Sequence, residues 1–119
     1  MTVWGIGVDV VDVPRFAASL ERTPTLEARL FTPDELSAGL RVESLAARFA
    51  AKEALVKALR APAGLSWHDV QVRTDDAGAP HLSTSGPAAE RVEELGLSAL
   101  HLSLAHDGDV ATAFVVAEC

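Results

Sequence analysis

The stretch Leu45–Arg60, "LAARFAAKEALVKALR", constrains the chain most. At about 100° per residue it reads as one long helix. Leu45, Phe49, Leu55, Val56 and Leu59 then form a bulky stripe, and Ala46, Ala47, Ala50, Ala51, Ala54 and Ala58 cover most of the opposite side. An alanine face lets another element approach closely, and little circumference is left for water. Five ionisable groups nevertheless lie on it. Arg48 and Lys52 interrupt the bulky stripe, and Glu53, Lys57 and Arg60 make one narrow polar ridge. Charges on a largely buried helix need partners.

With 119 residues the chain is expected to form one domain, 1–119, with a modest core. The core must come from Ala, Leu and Val, because the sequence is 49% hydrophobic but only 5% aromatic. No apolar run is long enough for a membrane helix, and "MTVWGIGVDV" lacks the basic start of a signal peptide. The one cysteine, Cys119, permits no internal disulfide, so a cytoplasmic setting is expected. A net charge of −7 argues against a general nucleic-acid binder. Residues 1–60 hold 8 basic and 8 acidic side chains, and residues 61–119 hold 2 and 9, so an anionic ligand should meet the first half.

"VWGIGVDVVDV" (Val3–Val13) reads as a buried strand with apolar residues on both faces. Pro14 suits the first turn of a helix running to Arg22. "TPTLEARLF" is a short second helix. Thr32, Pro33 and Glu35 form a capping box, and "SAGLRVE" is a loop. Ser44 caps the long helix, which "APAGLS" ends. "WHDVQVRT" alternates as a strand, "DDAGAP" turns, and "HLSTS" is another strand. "GPAAERVEELG" is a helix, and "ALHLSLAH" and "VATAFVVAE" pair across "DGD". The order β-α-α-α-β-β-α-β-β predicts an α+β fold, a small antiparallel sheet packed on the long central helix.

Asp9 stands out because a strand with two apolar faces should not hold a lone carboxylate. It is either a ligand for a metal or phosphate site, or a cap near the strand end. Gly5 and Gly7 share its face, so something should approach the backbone there. Glu53 and Lys57, at i and i+4, are either a plain surface ion pair or a carboxylate and ammonium presented together to a metal and a phosphate. A hard cation such as Mg²⁺ needs few protein carboxylates, and Asp9 with Glu53 would suffice. His106 lies beside the hairpin turn, a common place for a surface histidine. His68, His81 and His101 have no ligand spacing, and no phosphate-loop or nucleophile-elbow motif is present.

The ordered set "GIGVDVVDVPRF" (Gly5–Phe16), "LFTPDEL" (Leu30–Leu36), "RFAAKEALVKAL" (Arg48–Leu59), "WHDVQV" (Trp67–Val72), "GAPHL" (Gly78–Leu82) and "HLSLAHDGDVATAFVVAE" (His101–Glu118) resembles the small holo-[acyl-carrier-protein] synthases, a type of 4′-phosphopantetheinyl transferase. The resemblance spans essentially the whole chain. It implies the 4′-phosphopantetheinyl transferase fold. It also implies transfer of 4′-phosphopantetheine from coenzyme A to a serine of apo acyl carrier protein, releasing adenosine 3′,5′-bisphosphate. By the same likeness Asp9 and Glu53 hold Mg²⁺, Lys57 contacts coenzyme A phosphates, Arg15 helps dock the carrier, and His106 lies near coenzyme A. A homotrimer with active sites between subunits is implied too. Two positions depart from the pattern. Arg60 stands where glycine is usual, and could meet coenzyme A with its charge. Ala105 replaces a serine and should cost one hydroxyl contact.

On this reading Lys57 neutralises charge on the departing bisphosphate, and the carrier serine loses its proton to Glu53 or to a metal-bound water. Lys52 reaches a nucleotide phosphate or pairs internally, and the phosphate is expected. Arg15, Arg22 and Arg29 supply a local basic patch for an acidic carrier. Two other readings stand beside it. One is a non-catalytic module that binds coenzyme A or a carrier, and the other is a phosphohydrolase acting on coenzyme A with water in place of serine.

Overall fold

The computed structural model describes residues 1–61 and 64–119. A ten-residue strand β1 (Val3–Asp12) runs into helix α1 (Val13–Arg22), where Asp12 caps the helix by accepting from the Arg15 amide at 2.9 Å. Two five-residue helices follow, α2 (Leu26–Leu30) and α3 (Pro33–Ser37), and then the long helix α4 (Val42–Ala58). Strands β2 (Val70–Thr74) and β3 (Pro80–Thr84), helix α5 (Gly86–Glu94), and strands β4 (Ala99–Asp107) and β5 (Val110–Glu118) complete the order. The architecture is α+β, as expected, with four helices rather than three before β2.

The strands divide into two antiparallel sheets rather than one: β1-β5-β4, and the hairpin β2-β3. The central strand β5 pairs Asp9 with Ala113 on one side and Leu104 with Ala113 on the other. Helix α4 lies across the three-stranded sheet, and its small side chains explain how closely. Ala50, Ala51, Ala54 and Ala58 are buried with Ala113 and Val115 in one core cluster, which also takes Val70 and Val72 of β2. Ala46 and Ala47 join Val13, Phe16, Leu30, Phe31 and Ala111 in a second. The same helix therefore spans both clusters. Phe16, Phe49 and Trp67 link its bulky side to α1, with ring centroids 5.5 Å and 5.4 Å apart.

The capping box forms as read: Glu35 N–H donates to Thr32 Oγ1 at 3.2 Å, and Thr32 N–H to Glu35 Oε1 at 3.0 Å. Other boundaries moved for physical reasons. Helix α4 begins at Val42, not after Ser44, because Val42 packs on the second cluster and draws an extra turn into the helix. Of its breaker segment, Pro62 and Ala63 lie outside the described residues. "WHD" is a 3₁₀ turn and not the start of a strand, because Ser66 and Asp69 cap it reciprocally. Strand β1 is buried on one face only. Its outer face leaves Ile6, Val8 and Val10 exposed, beside Phe114 and Val110 of β5.

Candidate active site

Gly5 and Gly7 bring the catalytic candidates together. A methyl group at Gly7 would overlap the carbonyl oxygen of Ala54, and one at Gly5 that of Ala58. The approach expected at these glycines is thus made by the backbone of α4 itself. Asp9 is the next residue on that face of β1. With no side chains to hold helix and strand apart, the Asp9 carboxylate lies beside the polar ridge of α4. Lys57 Nζ donates to Asp9 Oδ1 at 2.9 Å and to the Val8 carbonyl at 3.1 Å. The Asp9 backbone is tied from the other side, its carbonyl accepting from the Thr112 hydroxyl at 2.8 Å.

Asp9 is nearly buried, with 13% of its side chain exposed, whereas Lys57 is 54% exposed. Glu53 is half-buried on the same ridge. Burial raises the Glu53 carboxyl above the ordinary range, the Asp9 charge raises it further, and Lys57 opposes both. Two carboxylates that repel one another, with one ammonium over them, form a setting that a divalent cation relieves. Both donors are hard oxygens, which suit Mg²⁺ completed by water and phosphate. Among the described residues no group of three or more His, Cys, Asp or Glu gathers to hold a metal, so the protein offers a pair.

Lys52 is a correction. Its side chain is completely buried, and its ammonium donates to Glu35 Oε1 at 2.6 Å, to the Leu30 carbonyl at 2.8 Å and to the Trp67 carbonyl at 3.0 Å. All three donors are used, so none reaches a nucleotide phosphate. Burial lowers the Lys52 pKa from its usual value, while the Glu35 carboxylate opposes that shift. The fourth helix charge, Arg48, is also buried and donates to the Val72 carbonyl at 2.8 Å.

Among the described residues, none of the remaining candidates bonds to the pair. Arg15 and Arg22, seven residues apart on one face of α1, are exposed, with Ser19 between them donating to the Arg15 carbonyl at 3.1 Å. Arg29 is exposed on α2. His106 is exposed near the C-terminal end of β4, where it lines a cavity of about 210 Å³ with Arg48, Ser44, Ala47 and Leu104. Asp9, Glu53 and Lys57 are not among that cavity's walls. Ala105 is exposed and follows the strand alternation onto the outer face of the sheet, opposite Thr112. Arg60 ends the ridge, exposed, with its guanidinium 4.7 Å from the centroid of the Trp4 ring. Sequence reading missed Trp4, Glu35 as the partner of Lys52, and Arg48 as a cavity wall. Glu35 carried a signal as the charged member of a capping box, and Arg48 as a charge on a largely buried helix.

Comparison with known proteins gives concordant results. The family model described as the 4′-phosphopantetheinyl transferase superfamily matches residues 5–115. The chain is 59% identical over 116 residues to the holo-[acyl-carrier-protein] synthase of Micrococcus luteus, covering 96% of this chain and 90% of that protein. It is 56% identical over 118 residues to that of Frankia alni, covering 99% of each. Among solved structures it is similar to the holo-[acyl-carrier-protein] synthase of Neisseria meningitidis, with a TM-score of 0.89, 34% identity, and coverage of 99% of this chain and 100% of that one. It is also similar to the Helicobacter pylori protein solved in complex with coenzyme A, with a TM-score of 0.85 and 30% identity over 95% and 99% of the two chains.

Proposed function

The chain belongs to the 4′-phosphopantetheinyl transferase superfamily, and from that membership we propose how its own side chains carry the reaction. The reaction is that of a holo-[acyl-carrier-protein] synthase: 4′-phosphopantetheine moves from coenzyme A to a serine of apo acyl carrier protein, and adenosine 3′,5′-bisphosphate leaves. The observation that carries the assignment of residues is the Lys57–Asp9 contact with Glu53 on the same ridge.

Asp9 and Glu53 would hold Mg²⁺, which when bound supplies Lewis-acid neutralisation of the pyrophosphate. Lys57, anchored by the Val8 carbonyl but half exposed, swings its ammonium from Asp9 to the departing bisphosphate. Glu53, half-buried on the ridge, would also accept the proton of the carrier serine. Arg60 meets another phosphate of coenzyme A, and His106 serves the coenzyme A site from its separate cavity. Arg15 and Arg22, with Arg29, form the basic patch that receives the acidic carrier.

The exposed apolar row Ile6, Val8, Val10, Val110 and Phe114 supports a subunit interface, since such patches mark association surfaces. We assign it to a homotrimer of single-domain subunits, 1–119, with active sites at the interfaces. The reaction belongs in the cytoplasm, where the free Cys119 stays reduced.

The test is incubation with coenzyme A, Mg²⁺ and a panel of apo carrier proteins, read by intact mass. Gain of one phosphopantetheine on a carrier is expected. No gain on any carrier would refute the transfer, and release of bisphosphate without a carrier would point to hydrolysis instead. Light scattering of the purified protein should give three times the chain mass.

A further inference from the structure

We propose that Trp4 is a positioning residue for coenzyme A. Its indole face holds the Arg60 guanidinium at the end of the Glu53–Lys57–Arg60 ridge, where Arg60 takes a phosphate of that substrate. The proposal rests on the reading of the reaction above.

Two departures from regular backbone meet at this point. Helix α4 closes with the two bonds of a Schellman motif: Ala61 N–H donates to the Val56 carbonyl, and Arg60 N–H to the Lys57 carbonyl, each at 3.1 Å. The residue after the cap in that motif adopts a left-handed conformation, which suits glycine. Here it is Arg60, with φ of +46°, and every other residue of positive φ among the described residues is glycine. Trp4 sits at an irregularity of β1. The register with β5 jumps between Val3 and Gly5, leaving Trp4 without a partner and re-aiming its side chain. A strained arginine and a bulged tryptophan are each unfavourable alone, and together they place a guanidinium over an indole face.

The arrangement leaves the arginine ready for an anion. A guanidinium lying on a ring keeps its in-plane N–H donors free. Among the described residues no carboxylate lies within ion-pair distance of Arg60. Its backbone is fixed instead by Arg91, which donates to the Leu59 carbonyl at 3.2 Å and to the Arg60 carbonyl at 3.4 Å, while Glu94 takes the Arg91 charge at 2.9 Å. Glu53 and Lys57 lie along one face of α4, and Arg60 stands just beyond the C-terminal cap of that helix. A ligand with several phosphates, starting at the Asp9–Lys57 pair and lying along that face, meets Arg60 next. This continuity favours coenzyme A over the acidic surface of the carrier.

The protein has two tryptophans, so Trp67→Phe leaves Trp4 as the sole indole. Titrating that variant with coenzyme A and with adenosine 3′,5′-bisphosphate should shift Trp4 emission to saturation, and adding Arg60→Ala should abolish the shift. In steady state, Trp4→Leu keeps apolar bulk but loses the π face. It should raise KM for coenzyme A about three- to fivefold with kcat and carrier KM unmoved, and Trp4→Phe should recover most of the loss. A rise in carrier KM alone would give the pair to docking and overturn the proposal. No change in either KM, in variants that melt like the parent, would reduce Trp4 to packing. If the protein binds coenzyme A but transfers nothing, only the transfer reading fails. The same variants are then judged by the fluorescence Kd. If coenzyme A does not bind at all, both fall.

Discussion

Lys52 and Glu35 form an ion pair of 2.6 Å with both side chains entirely out of water, and it ties the long helix to the capping box of α3. Glu35 is shared further: its other oxygen accepts from the Val72 amide at 3.1 Å, so one carboxylate joins α3, α4 and β2. Lys52→Met should cost about 3–5 kcal/mol, because it leaves a carboxylate buried without its cation. Adding Glu35→Leu should recover only part of this, since the Thr32 and Val72 amides then lose their acceptor. Denaturant unfolding measures both. An unchanged midpoint for Lys52→Met would mean that the pair is not formed in solution.

Asp9→Asn and Glu53→Gln should each lower transfer on the order of a hundredfold or more, with folding intact. Chelation of divalent metal should stop transfer by the parent protein, and added Mg²⁺ should restore it. The intact-mass assay reads all of these. Full activity in either variant removes that residue from the site.

Arg15→Glu should raise KM for the carrier far more than KM for coenzyme A, because Arg15 is exposed on α1 and makes no ion pair with Asp9. The ratio should shrink as salt rises. Equal effects on both substrates would contradict the docking role.

Arg60→Gly and Arg60→Ala both remove the guanidinium, but only glycine suits the left-handed backbone at +46°. The glycine variant should be more stable than the alanine variant by about 1 kcal/mol, read from thermal melting. Equal stability would mean that the helix end relaxes when the side chain is shortened.

How much of this was legible in the sequence depended on range. Patterns carried by neighbouring residues could be read directly: the capping box at Thr32–Glu35, the β4–β5 hairpin, and the Glu53–Lys57 ridge. The unexpected carboxylate at Asp9 and the glycines beside it pointed correctly to a close backbone approach. What could not be read were partnerships between distant positions. Lys52 carries the same ammonium as Lys57 and lies only five residues before it, yet one ends in the core against Glu35 and the other beside Asp9. A turn of the helix decides which, and the difference lies in what other elements pack there. The Trp4–Arg60 pair was hidden for the same reason, and the outer face of β1 was misread because apolar residues look alike whether a sheet face meets a helix or lies open.

The contact of β1 with α4 through Gly5 and Gly7 has a mechanical consequence. The spacing between Asp9 and the Glu53–Lys57 ridge is set by main-chain atoms touching main-chain atoms, not by interlocking side chains. The two carboxylates proposed to hold the metal are mounted on a rigid ruler. Repacking the surrounding core should therefore soften the protein as a whole before it changes the gap between its carboxylates, and substrate preference is left to be tuned at the margins of the site.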